Sequence, residues 1–380
     1  MPYTSRDLSP HRERALGYSP ALDGLRAVAI IMVVAVHMGG YNHVGRGGWI
    51  GVNIFFVLSG FLITSLLVNE SDRGPHGRFS IGKFYIRRIF RLWPAYFTFI
   101  LGALFYAGIW QRAHFSAWWH QLAYSAVFYL NFYAISHPVV DQIGPLWSLC
   151  VEEQFYIVWA LVLLGCCVWL TRRATMAVAV AGVVLTTAIS LGLVGTGASW
   201  QRLYYGFDTN AMSLLVGAVA GLAFTAGYFD RLVSRSLAFA YLAGAALVTA
   251  VWFVGITNLH RWVYAGPVQL FSLMIAGAVV LLVVIPDTPV ARLLSLRPIV
   301  WIGKLSYSIY LWNRFAIYLL PQNGSDHERW ECRFIELGLT AAFALASYYG
   351  VERWGLRFKN RHFETARITD AATVPVPAGG

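Results

Sequence analysis

A histidine and an arginine inside one apolar run are the first residues here that could do chemistry. Arg26 and His37 lie in LDGLRAVAIIMVVAVH, residues 22–37, and an eleven-residue spacing is three helical turns plus about 20°, so both fall on one helix face. At 1.5 Å per residue they stand about 16 Å apart along the axis, Arg26 near one membrane surface and His37 past the bilayer centre. An imidazole is a base near neutral pH. An ionisable group in hydrocarbon costs roughly 2.5–3.5 kcal/mol on insertion scales, which makes such groups functional candidates by default. Packing offers a plainer account, in which Arg26 reaches the headgroups and His37 is a satisfied core side chain.

Other polar groups sit in equally apolar surroundings. In VGRGGWIGVNIFFVLSGFLITSLL, residues 44–67, the Ser59-Gly60-Phe61 step suits close backbone approach or a local helix break. KFYIRRIFRLWPAYF, residues 83–97, puts Arg87, Arg88 and Arg91 on about one turn. Three guanidiniums there can hold phosphates through paired donors or act only as positive-inside anchors, with Pro94 stiffening or kinking the helix that follows. GPLWSLCVEEQFYIVWALVLL, residues 144–164, carries Glu152 and Glu153 into an apolar run. Neighbours sit about 100° apart, so one carboxylate can face a cavity while the other pairs elsewhere; the plainer reading is an interfacial pair capping the helix start near Ser148. YYGFDTNAMSLLVG brings Asp208 and Asn210 to the outer edge of a span, and IGKLSYSIYLWNRF places Lys304, Ser306, Tyr307, Tyr310, Asn313 and Arg314 in another. In YYGVERWGLRFKNR the Glu352-Arg353 pair reads as a cytoplasmic stop signal.

Membrane helices must carry these residues. The chain is 58% hydrophobic and 12% charged with mean hydropathy +0.57, and apolar stretches of about 20 residues recur along it. The expected fold is an all-α polytopic transmembrane bundle of ten spans, at residues 23–41, 49–68, 92–110, 146–169, 174–194, 209–226, 238–257, 266–285, 300–320 and 334–352. An eleventh stretch, residues 118–135, is rich in aromatics and holds His120, Gln121 and Asn131, which suits a re-entrant or interfacial segment covered by protein. Ten spans put 20 Lys and Arg residues in cytoplasmic segments and 6 in outer loops, the asymmetry that positive-inside topology requires. Both termini are then cytoplasmic, in the plasma membrane of the cell. Residues 1–22, with Arg6, Arg12 and Arg14, lead into an uncleaved anchor, because no small-residue cleavage site follows. Residues 23–352 form one membrane domain, and 353–380 form a cytoplasmic tail expected to be disordered after Thr369. The net charge of +11 lies in short loops between spans, which argues against nucleic acid as a partner. Cys150, Cys166, Cys167 and Cys332 show neither metal spacing nor a disulfide framework, and no metal is expected.

Four of these stretches together resemble the acyltransferase-3 family of integral-membrane O-acyltransferases over residues 18–360. LDGLRAVAIIMVVAVH is similar to its opening element with an Arg-x10-His spacing, FFVLSGFLIT to its Ser-Gly-Phe element, FYIRRIFRLWPAYF to its Arg-x-x-Arg element through Arg88 and Arg91, and LWSLCVEEQFYIVW to its Glu-Glu-x-Phe-Tyr element. The resemblance implies transfer of an acyl group, usually acetyl, from coenzyme A to a hydroxyl on a glycan, lipid or glycosylated metabolite such as a macrolide. Under it, His37 is the general base or a covalent acyl carrier. Glu153, or else Glu152, is expected to steady the imidazolium, while Arg26, Arg88, Arg91 and Ser59 are expected on the acyl-CoA side. Asp208, Tyr310 and Asn313 are expected on the acceptor side. The chain departs from the family where Asn313 replaces a frequent histidine, where Trp354 replaces a frequent proline, and around Asp208. A single module is expected, with no appended extracytoplasmic domain. The leading alternative is a transporter using the intramembrane Arg, His and Glu as a substrate or proton path, but its usual two-fold internal symmetry is not visible in the sequence. A non-catalytic lipid-binding scaffold is the other.

Overall fold

Each of the ten expected stretches folds as a long helix. The computed structural model describes residues 16–39, 45–74, 77–229, 234–320, 326–355 and 357. Its long helices are α1 (Pro20–Gly39), α2 (Ile50–Arg73), α3 (Ile81–Trp110), and then, beyond two short helices α4 (Phe115–Ala126) and α5 (Leu130–Ser136), α6 (Leu146–Trp169) and α7 (Arg172–Gly195). A short α8 (Trp200–Tyr205) leads into α9 (Phe207–Thr225), α10 (Arg235–Gly255) and α11 (Pro267–Val284). A short α12 (Pro289–Leu294) precedes α13 (Arg297–Ile317) and α14 (Asp326–Ser347), which ends in a π-turn, Tyr348–Glu352. Among the described residues nine segments are long and apolar enough to cross a membrane. The tenth expected span is α13, equal in length to α10 but more polar, because Arg297, Lys304, Asn313 and Arg314 lie along it. The chain is an integral membrane protein with a helical-bundle fold.

Residues 118–135 do not cross. α4 has 12 residues, about 18 Å against a hydrocarbon core of about 30 Å. Phe128, at φ 56°, turns the chain into α5. The polar groups of this segment are answered by protein. Gln121 donates to the Pro138 carbonyl and accepts from the Val140 N–H (3.2 and 2.8 Å), and Gln154 of α6 donates to Phe128 O and Asn131 Oδ1 (2.6 and 2.8 Å). Backbone left irregular at membrane depth needs such partners.

Packing against lipid and packing against protein separate the helices. α7 and α10 turn Val184, Leu185, Leu247 and Val251 outward, whereas α1, α2 and α9 are mostly buried. α2 and α9 meet at Gly60, where an added Cβ would overlap the Leu214 carbonyl oxygen. The Ser59-Gly60-Phe61 step is therefore a close approach in an unbroken helix, the small-residue contact typical of membrane helices. Gly303 does the same for α13 against the Asp23 carbonyl of α1, so the helices carrying His37 and Asn313 run in direct contact.

One boundary differs clearly from expectation. The third span begins at Ile81, eleven residues early, since Ser80 caps it by accepting from the Lys83 N–H at 3.3 Å. At 30 residues it is about 45 Å long, and the arginines sit on the helix itself. Pro94 does not end it, and Thr98 donates back to the Pro94 carbonyl at 2.7 Å. Arg6, Arg12, Arg14 and the tail beyond Thr369 lie outside the described residues.

Candidate active site

His37 stands at the last turn of α1, facing α13. Its Nδ1 lies 2.5 Å from Asn313 Oδ1. The amide of Asn313 cannot be turned round freely, since its Nδ2 donates to the Ile309 and Tyr310 carbonyls at 2.9 and 2.7 Å. Arg314, the next residue, is close enough to act on the imidazole electrostatically and donates to Asp141 at 2.7 Å. One turn back, the Tyr310 hydroxyl meets Ser148 Oγ at 2.5 Å and the Pro145 carbonyl at 3.1 Å, tying α13 to the start of α6.

One turn further along α6 lies a second polar group of residues. Glu152 accepts from Ser59 of α2 at 3.1 Å and from Tyr156 at 3.0 Å. The guanidinium carbon of Arg88 lies 3.3 Å from the centre of the Tyr156 ring, closer than most cation–π contacts, whose reach is about 6 Å. Arg88 is also within electrostatic reach of Glu152 and Glu153, and its Nε is buried without a hydrogen-bond partner. Tyr307 of α13 donates to the Leu92 carbonyl at 3.0 Å beside the Pro94 turn, where the missing proline N–H loosens α3.

The third group is the most open. Arg91 keeps exposed surface, and the charges of Arg26, Arg88 and Glu352 act on it. Arg26 donates to Asp23 at 3.1 Å. Glu352, only 6% exposed, is swung inward by the π-turn and accepts from Ser308 at 2.8 Å. A π-turn inserts one extra residue into the helical count and re-aims the side chains after it.

From one end to the other, Arg91, Arg88, Glu152, Glu153, Ser59 and His37 all keep solvent-accessible surface. Their neighbours Leu58, Val151 and Tyr156 are buried.

The sequence expectations meet this geometry unevenly. Arg26 and His37 do share α1, and Arg88, Arg91, Ser59 and the two glutamates converge. Glu153 is not the partner of His37: that place belongs to Asn313, because α13 and not α6 packs against the end of α1. Arg87 turns away to an ion pair with Glu70, leaving two arginines for the interior. Asp208 is held in a fork by Arg202 Nη1 and Nη2 at 2.8 and 2.5 Å and accepts from the Thr209 N–H, so its carboxylate braces the α8–α9 corner. Tyr310, buried and doubly bonded, likewise braces helices. Glu352 was read as a stop signal, yet its side chain belongs to the interior cluster; only the π-turn, which the sequence pattern does not announce, brings it there.

Residues 19–351 match the sequence profile of the acyltransferase-3 family, described as an acyltransferase domain. The chain belongs to this family. Relatives include a putative peptidoglycan O-acetyltransferase of Bacillus subtilis, 32% identical over 96% of this chain and 60% of its own length. A peptidoglycan O-acetyltransferase of Listeria monocytogenes is 31% identical over 78% of this chain and 49% of its own. An O-acetyltransferase of Staphylococcus aureus is 31% identical over 88% of this chain and 57% of its own. The chain thus spans about half to three fifths of the length of the acyltransferase-3 relatives it matches. No solved structure matches it.

Proposed function

We propose that this protein is a membrane O-acyltransferase that moves an acyl group, acetyl in the simplest case, from acyl-CoA to a hydroxyl of a sugar-containing acceptor. The observation that carries the reading is an arrangement of two polar groups on packed helices, the cluster of Arg26, Arg88 and Arg91 with its carboxylates and the Asn313-bonded His37. It has anion-binding groups at one end and a base at the other. Positive-inside topology puts the arginine end at the cytoplasm, where coenzyme A is supplied. Arg91 and Arg26 meet its phosphates through charge-assisted hydrogen bonds, Arg88 lies deeper, and the pantetheine arm extends toward His37.

At the other end the acceptor hydroxyl gives its proton to His37 Nε2. Its oxygen then bonds to the thioester carbonyl carbon, the carbon–sulfur bond breaks, and the departing sulfur takes the proton back from the imidazolium. A covalent acyl-histidine would use the same nitrogen. Glu152 and Glu153 hold Arg88 in place instead of touching the imidazole, and Ser59 holds Glu152. The printed names of the relatives favour a peptidoglycan-type glycan as acceptor; a glycosylated metabolite presents the same hydroxyl chemistry.

Purified protein is mixed with radiolabelled acetyl-CoA and peptidoglycan fragments. Label is expected on the fragments as a base-labile ester. Label on neither acceptor nor protein, across several acyl chain lengths and glycosylated acceptors, contradicts an acyltransferase and favours the transport reading.

A further inference from the structure

His37 has two ring nitrogens, and catalysis as proposed needs a lone pair on the one not held by Asn313. Nothing about an imidazole alone fixes this, because the two neutral tautomers are close in energy and a ring in water exchanges between them. The surroundings of Asn313 do fix it. An asparagine amide has one accepting and one donating end. Both donors of Asn313 Nδ2 are already directed at the Ile309 and Tyr310 carbonyls, which can only accept. Flipping the amide would set its carbonyl oxygen against two others and lose both bonds. Oδ1 therefore faces the ring, and at 2.5 Å from Nδ1 it requires a proton there.

We infer that Asn313 is a positioning residue that holds His37 as its Nδ1–H tautomer, leaving the Nε2 lone pair toward the reacting groups. This rests on His37 being the base. It reassigns Asn313 from the acceptor side, for its amide is buried and its three hydrogen bonds are all spent on protein. The choice of a neutral amide has a consequence. In the serine-hydrolase arrangement a carboxylate orients the ring and also stabilises the imidazolium that forms; Asn313 orients without adding negative charge. The charged group on the adjoining helix is Arg314, whose own counter-charge is Asp141. An imidazolium formed here lacks a carboxylate's stabilisation and returns its proton readily to the leaving sulfur.

The experiment is nitrogen NMR on the full chain labelled with 15N-histidine, in detergent or nanodiscs. One of ten histidines, His37, is assigned by the signal missing from His37→Gln. The wild type is expected to show Nδ1 protonated and Nε2 unprotonated at neutral pH. In Asn313→Leu, which keeps the volume and removes the acceptor, the signal moves to a mixture of tautomers. Turnover falls by about a hundredfold or more, while the KM for acetyl-CoA stays near wild type. Asn313→Asp keeps an oxygen toward Nδ1 but sets its second oxygen against the Ile309 and Tyr310 carbonyls, so it is expected to retain the Nδ1–H form with turnover between that of Asn313→Leu and wild type, its acid limb displaced to higher pH by the added charge. Folding of each variant is checked by monodisperse elution. A wild-type proton on Nε2, or an Asn313→Leu spectrum identical to wild type, overturns the inference. His37→Gln separates the two levels: full turnover in that variant defeats the assignment of the base, whereas loss there with an unmoved Asn313→Leu spectrum defeats only the tautomer lock.

Discussion

The two ends of the polar stripe are built on different principles. At the His37 end the contacts are short and directional, and both polar atoms of the Asn313 side chain are hydrogen-bonded to protein. At the arginine end, charges act on one another over longer range. Arg88 lies over a tyrosine ring with its Nε unanswered, and exposed Arg91 stands among two other guanidiniums and one carboxylate. Directional contacts fix one atom's position, which a proton transfer needs. Clustered like charge is costly in a bilayer unless a polyanion relieves it, which suits a site that binds and releases a charged substrate. In the proposed function, this difference places chemistry at one end and donor affinity at the other.

Removing the imidazole should break the first end most severely. His37→Ala is expected to lower turnover by about 10³-fold, within the range for general bases, while acetyl-CoA binding by titration stays at the wild-type value. Arg88→Ala comes next and should act on two quantities. It removes the positive charge that acts on Glu152 and Glu153, so thermal unfolding moves down together with donor affinity. Arg91→Ala, more open to solvent, should raise the KM for acetyl-CoA about tenfold, equivalent to one charge-assisted contact of about 1.5 kcal/mol, with turnover at saturation unchanged. Smallest is Asp208→Asn. It cuts a half-exposed fork to Arg202 worth at most about 1 kcal/mol and should leave transfer rates within about twofold, measured with the same glycan acceptor; a large rise in acceptor KM would return Asp208 to the acceptor side.

Much of the helical framework was legible in the sequence because membrane spans announce themselves by length and apolarity. Residues 118–135 could be set apart because Gln121 and Asn131 would have no partner in lipid. That Arg26 and His37 share one helix, and Arg88 and Arg91 another, was legible through helical spacing, which is a property of one element. The partner of His37 was not. Asn313 reaches it from a helix far along the chain, and the carboxylates nearest in motif order were the natural guess. That contact depends on α13 running against α1 at Gly303, a matter of packing between elements that no local spacing records. Glu352 was misread for a related reason: an ordinary helix would leave it among the cytoplasmic charges, and one extra residue in the π-turn aims it inward. Asp208 shows the converse case, a charged residue in a recognisable motif whose carboxylate is taken up by a neighbour six positions away.

The division of labour between the ends is tested most directly by titrating acetyl-CoA into purified His37→Ala and Arg91→Ala and measuring saturated transfer for both. The account predicts opposite failures: His37→Ala binds donor like the wild type and transfers almost nothing, whereas Arg91→Ala binds weakly and transfers at the wild-type rate once saturated. Two variants that lose donor affinity and saturated turnover in the same proportion would contradict it.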